Sequence, residues 1–182
     1  QQTQVKTVIP YFKRFINKFP NLRALVRANE HKVLKSWEGL GYYSRAINLK
    51  KTAAILLKDF DGRLPNEIEK LKTLPGIGEY TSRSILSIAH NQPYIPMDGN
   101  VERILKRVFL LKTKKQISKE NLIEKKSFFS STQRSSDYAQ AIMEIGALIC
   151  KPSSPICSSC PLINNCKACL LYTSPSPRDL ST

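Results

Sequence analysis

An all-α fold is what the sequence predicts, on three observations. Apolar residues recur three and four apart along most of the chain. Pro, Asn and Gly interrupt them at intervals, and no stretch has the alternation or β-branched richness of a strand. The interruptions imply helices of roughly 8 to 17 residues, and no internal repeat of about 20 to 50 residues is present. The first helix, TQVKTVIPYFKRFINKF at 3–19, puts Val5, Val8, Ile9, Phe12, Phe15, Ile16 and Phe19 on one face. Lys6, Lys13, Arg14 and Lys18 lie outside that face, and Pro20-Asn21 stops the pattern. A later one, SRAINLKKTAAILLKDF at 44–60, aligns Ala46, Leu49, Ala53, Leu56 and Leu57 and ends at Asp61-Gly62.

After Leu64-Pro65-Asn66, NEIEKLKTL reads as a short helix, Pro75-Gly76-Ile77-Gly78 as a tight hairpin, and 79–89 as a helix with Ile85, Leu86 and Ala89 inward. Gly76 and Gly78 allow positive φ and close backbone approach. Hairpin amides and a helix N-terminus can then hold a phosphate oxygen without any side chain. The unit is a helix-hairpin-helix; an ordinary turn between two helices is the competing reading.

In YIPMDGNVERIL at 94–105, Asp98 stands before Gly99-Asn100 and an amphipathic run, the position of a helix N-cap. Capping and chemistry are compatible. A carboxylate fixed at a helix N-terminus is rigid and favoured in its charged form, which suits a group facing a developing positive charge.

The five cysteines all fall between positions 150 and 169, a local cluster rather than a secreted disulfide framework. Cys150, Cys157, Cys160 and Cys166 form C-x6-C-x2-C-x5-C, broken by Pro152, Pro155 and Pro161 into a loop able to wrap a metal. A single tetrahedral zinc and a 4Fe-4S cluster compete, with ordinary buried cysteines as a third reading. Zinc sites usually pair two close knuckles and one close pair is present, so the spacing favours the cluster. Cys169 stands outside the pattern.

With 29 Lys and Arg against 14 acidic residues, the chain carries +15, and the partner this charge calls for is a polyanion, foremost nucleic acid. A 41% apolar content is enough to bury a core. No run of 18 apolar residues and no signal-peptide layout occur, so a soluble intracellular protein is expected. The first residue is Gln, which reads as a fragment. The Ser- and Pro-rich tail at 170–182 is expected to be a disordered or artefactual end.

A helix-hairpin-helix, an aspartate 20 residues on, and a C-x6-C-x2-C-x5-C loop resemble the endonuclease III superfamily of DNA base-excision glycosylases. QQTQV at 1–5, WEGLGYYSRAINL at 37–49 and MDGNV at 97–101 are similar to the MutY-type adenine DNA glycosylases, a resemblance extending to about residue 168. It implies two helical lobes gripping DNA, assigned to 1–96 with the helix-hairpin-helix and to 97–169 with the iron-sulfur loop. The implied activity is removal of adenine mispaired with 8-oxoguanine or guanine. The partners are a 4Fe-4S cofactor and double-stranded DNA, with no membrane, and a cytoplasmic monomer is expected.

The resemblance also implies roles. Cleaving an N-glycosidic bond passes through an oxocarbenium-like sugar, so one carboxylate stabilises or traps that cation while an acid protonates the leaving base. Asp98 falls on the family's carboxylate, and Asn100 on its asparagine that holds sugar and phosphate. The family's acid is a glutamate four residues upstream of the first Gln of QQT, so these 182 residues as written are expected to excise adenine weakly or not at all. Glu79 and Glu144 are not assumed to substitute, since protonation needs hydrogen-bond reach to the base.

Tyr80 replaces the lysine that bifunctional relatives use to form a Schiff base, which implies a monofunctional, water-using glycosylase. Gln2 and Thr3 match residues that enter the duplex on the 8-oxoguanine side, Tyr42 matches an intercalating tyrosine, and Gln140 a position near the adenine pocket. Aromatic packing at a helix end is the alternative for Tyr42 and Tyr43. Trp37 is expected in the core. Arg45 and Lys50 could meet phosphates or form a solvated helix face, while His31 and His90 are isolated. Two other functions remain open: a thymine or other base glycosylase of the same superfamily, since tyrosine at position 80 also occurs in G:T-mismatch enzymes, and a non-catalytic DNA-binding iron-sulfur module.

Overall fold

The computed structural model describes residues 5–111 and 133–173, and among these all regular structure is helical. Contacts cluster into two compact units, Gln1–Glu79 and Tyr80–Thr182. No described helix is long and apolar enough to cross a membrane.

The first unit begins with α1 (Val5–Lys18). Its apolar face is buried only toward its end: Phe19 lies in the core and Phe15 packs edge-on to it at 4.9 Å, whereas Ile9, Phe12 and Ile16 are exposed. Two short helices follow that the sequence reading did not separate, α2 (Leu22–Arg27) and α3 (Glu30–Trp37). Each is opened by an asparagine cap: Asn21 Oδ1 accepts from the Ala24 amide at 2.9 Å and Asn29 Oδ1 from the Lys32 amide at 2.8 Å. The asparagine after Pro20 that reads as a break is therefore also a start. With 6 and 5 residues, α2 and α5 (Ile68–Lys72) are shorter than the expected helix lengths; packing rather than propensity sustains helices this short.

The long α4 (Ser44–Asp59) buries Ala46, Thr52, Ala53 and Leu56, with Leu49 left 40% exposed. Phe19, Leu25, Val33, Ala46 and Ala53 form this unit's core, with Trp37 half-buried against it. Lys50 Nζ donates to the Val26 carbonyl at 2.7 Å, closing the last turn of α2. That contact, not a phosphate, is where the structure puts this lysine.

Helix α6 (Glu79–Ile88) buries Ser82, Arg83, Leu86 and Ser87. The expected inward set was Ile85, Leu86 and Ala89; Ile85 is half-buried and Ala89 lies exposed just past the last turn. The buried stripe is mostly polar, so a reading based on hydrophobicity misses it. In the second unit α7 (Gly99–Phe109) supplies Val101, Ile104, Leu105 and Val108 to a core shared with Ile95, Ile142 and Cys166. Each such fully buried aliphatic side chain contributes about 1.5 to 3 kcal/mol. Helix α8 (Ser135–Glu144) runs into a π-helical turn, Ile145–Ile149, before the cysteine loop, and α9 (Lys167–Thr173) follows it.

Candidate functional site

The hairpin after α5 is a tight turn. The Ile77 amide donates to the Leu74 carbonyl at 3.1 Å, with Pro75 second and Gly76 third at φ 78°, the arrangement of a type II turn. Gly76 is required twice over. Its φ suits glycine, and a Cβ there would stand 3.0 Å from Asn48 of α4. Thr52 Oγ1 donates to the Pro75 carbonyl at 3.0 Å, so α4 is the platform on which the turn sits. Gly78 differs from expectation: its φ is not positive, and a Cβ there would meet nothing within 4 Å. What Gly78 leaves is open space beside an exposed backbone.

Asp98 is the N-cap of α7. Its Oδ1 accepts from the amides of Asn100 at 2.9 Å and Val101 at 2.8 Å, and its Oδ2 accepts from Asn100 Nδ2 at 3.2 Å. Asn100 is held in turn, its Oδ1 accepting from Arg103 Nη2 at 2.8 Å. Arg103 then reaches across the unit, donating through Nη2 to the Gly146 carbonyl at 2.7 Å and through Nε to the Cys150 carbonyl at 2.8 Å. Gly146 is buried in the π-helical turn, and a Cβ on it would come 2.7 Å from Asn100 Cβ and 3.2 Å from the Asn100 backbone carbonyl. One turn further along α7, Arg107 donates through Nη1 to Cys150 Sγ at 3.3 Å and to the Lys151 carbonyl at 2.7 Å, and through Nη2 to the Pro152 carbonyl at 2.9 Å.

Cys150, Cys157, Cys160 and Cys166 line one cavity of about 680 Å³, whose walls include Ile104, Val108, Ile145 and Leu162. Cys169 lines it too. Burial pushes the Cys160 thiol up, with a smaller rise from Cys150, Cys166 and Cys157 nearby, and burial pushes Cys169 up to about 12. Among the described residues no three or more His, Cys, Asp or Glu side chains stand grouped as ligands of a single metal ion. The donor set and the size of the cavity nevertheless fit a multinuclear thiolate-bound group: soft sulfur donors face an apolar space far larger than one ion. Thiols gathered in apolar walls bind as thiolates only where cations offset the charge.

The chain matches the HhH-GPD family, described as HhH-GPD superfamily base excision DNA repair protein, over residues 1–127. It belongs to the HhH-GPD superfamily. It is also 41% identical over 170 residues to the adenine DNA glycosylase of Buchnera aphidicola subsp. Baizongia pistaciae, covering 93% of this chain and 48% of that protein. To the mouse adenine DNA glycosylase it is 40% identical over 174 residues, covering 92% of this chain and 33% of that protein. The chain spans about half the length of the first of these relatives or less. Among solved structures it resembles a non-covalent endonuclease III–DNA complex with a TM-score of 0.76 at 25% identity, covering 94% of this chain and 79% of that chain.

In this HhH-GPD protein the remaining residues singled out by sequence fall as follows. Tyr80, in the first turn of α6, donates its hydroxyl to Met143 Sδ of α8 at 3.5 Å. Tyr42 is 61% exposed in a left-handed conformation at φ 47°. Gln140 is exposed on α8 and donates back to Ser136 of its own helix at 3.2 Å. Gln2 and Thr3 lie outside the described residues.

Sequence reasoning missed three residues. Arg103 and Arg107 read as charges on an amphipathic helix, and Gly146 as a glycine inside an apolar run, the last being the one signal available.

Proposed function

We propose that this chain belongs to a monofunctional adenine DNA glycosylase acting on adenine opposite 8-oxoguanine or guanine in double-stranded DNA. The observation that carries the proposal is the Asp98 carboxylate, fixed by two backbone amides and by Asn100 at the start of α7, in a chain matching adenine DNA glycosylases along nine-tenths of its length. Its chemistry would be that of a glycosidase. As the bond to adenine lengthens, positive charge grows on the sugar, and a fixed carboxylate stabilises it without reorganising. Asn100 is held by Arg103, so its amide orients the carboxylate and is available to the sugar and phosphate. In the full-length protein the family's glutamate protonates the leaving adenine, and water adds to the sugar cation to complete the hydrolysis. A phenol at position 80 forms no Schiff base, so the product is an abasic site.

On this reading the hairpin around Gly76 and Gly78 takes a phosphate through backbone amides. Tyr42, with Gln2 and Thr3, enters the duplex while the target base is flipped, and Gln140 serves the base pocket. The functional lobes would be 1–96 and 97–169. Cys150, Cys157, Cys160 and Cys166 would hold a 4Fe-4S cluster, which when bound supplies a structural clasp for the loop after α8. Visible absorption near ~400 nm with matching iron content tests that assignment, and zinc in place of iron would overturn it.

A panel of duplexes tests the activity. Adenine should be released from A:8-oxoguanine and A:G pairs by the full-length protein, with no covalent adduct trapped by borohydride. Release of thymine from G:T without release of adenine would replace this reading with the thymine-glycosylase one, and duplex binding without any excision would leave a binding module.

A further inference from the structure

The loop between α3 and α4 holds three left-handed residues in four positions, Gly39 at φ 91°, Gly41 at 66° and Tyr42 at 47°. For the two glycines this is inexpensive. For a tyrosine it costs about 1 to 2 kcal/mol, so something must over-determine the loop. Two side chains do so. Trp37 Nε1 donates to the Gly41 carbonyl at 3.2 Å, and Arg45 Nη2 donates to the carbonyls of Leu40 at 3.3 Å and Gly41 at 3.4 Å. The guanidinium carbon of Arg45 lies 5.4 Å from the Trp37 ring centre and 5.6 Å from that of Tyr42, so it is packed against both rings.

The geometry points to Arg45 as a positioning residue: its guanidinium ties the loop carbonyls to Trp37 and holds Tyr42 in the exposed, left-handed pose from which it enters DNA. The inference rests on the proposed duplex role of Tyr42. Arg45 reads from sequence as a candidate phosphate contact, yet it is half-buried and its Nη2 donates to this loop. A lysine cannot replace it. An ammonium is a compact charge without the planar guanidinium that packs against both rings while Nη2 donates to the loop carbonyls.

Trp37, the one tryptophan in these 182 residues, is a built-in reporter. In the purified chain, Arg45→Lys and Arg45→Ala should both shift the Trp37 emission to the red and weaken binding to an A:8-oxoguanine duplex roughly tenfold, the order of one lost base-stacking contact. The slope of log K against log salt should stay that of the parent. Tyr42→Ala should weaken binding similarly while leaving the Trp37 emission close to the parent's. Full retention by Arg45→Lys, an unmoved emission in both variants, or a salt slope smaller by about 0.9, the mark of one lost phosphate contact, would overturn the role of Arg45 alone. Parent-like binding by Tyr42→Ala would overturn the duplex role of Tyr42, and the inference with it.

Discussion

Oδ1 of Asp98 makes the cap by accepting from two backbone amides, while Oδ2 accepts from Asn100 Nδ2, the one bond that asparagine would lose. Asparagine caps a helix about as well as aspartate but carries no charge. In the full-length protein, Asp98→Asn should therefore keep its melting temperature within about 3 °C of the parent, while single-turnover adenine excision falls at least roughly a hundredfold. Parent-like excision by that variant would show a cap and nothing more. Gly146 is the complementary case. Its Cβ would press on the backbone of Asn100 as well as its side chain, and backbone does not yield as a flexible side-chain end does. In the full-length protein, Gly146→Ala should displace Asn100 and lower excision roughly ten- to a hundredfold with duplex binding largely retained, because a misplacement of an ångström suffices for that loss. The cap at Asp98 was legible in the sequence because it is satisfied within three residues; Gly146 was not, because its partner lies 46 positions away.

At the scale of the element, the hairpin separates two glycines that look alike in Leu-Pro-Gly-Ile-Gly. Gly76 carries the left-handed turn and sits on Asn48, so Gly76→Ala should cost about 1 kcal/mol or more, read as a lower denaturant midpoint. Gly78 has ordinary φ and free space around it, so Gly78→Ala should fold like the parent. On the proposed phosphate contact, its loss is in affinity for duplex DNA, where a methyl group would stand between backbone amide and phosphate. Equal stability losses in the two variants would contradict this division. The Pro-Gly pair announced a tight turn from sequence, and the structure makes it type II, with proline second and glycine third. The platform supplied by Asn48 and Thr52 was not readable, since on α4 the two simply look like polar residues of an amphipathic helix.

For the whole molecule, charge and burial set the response to conditions. A net charge of +15 predicts duplex affinity that falls steeply with salt. Alkaline pH acts through the core. Burial pushes Tyr138, packed against the second unit's core, up to about 12 from its ordinary 10. A phenol whose pKa is raised on folding stabilises the native state fully below the unfolded value, near 10, and that stability is lost as pH rises toward 12. Unfolding midpoints should therefore fall between pH 10 and 12, and Tyr138→Phe should fall less across that window; identical profiles would show that Tyr138 ionises as easily folded as unfolded.

The sequence by itself determined whatever depends on near neighbours or on periodicity: the helical class, the Pro-Gly turn, the cap at Asp98, the gathering of the thiols and the basic charge. Each arises from interactions within a few residues or from composition, so its cause is written in the local string. The tertiary structure alone decided how those pieces meet. Arg103 joins Asn100 to the carbonyls of Gly146 and Cys150 across 43 and 47 positions, Lys50 closes α2 from 24 positions away, and α6 buries a stripe that is mostly polar. Such pairings leave no period and no preferred spacing, because they are selected by the packing of whole elements.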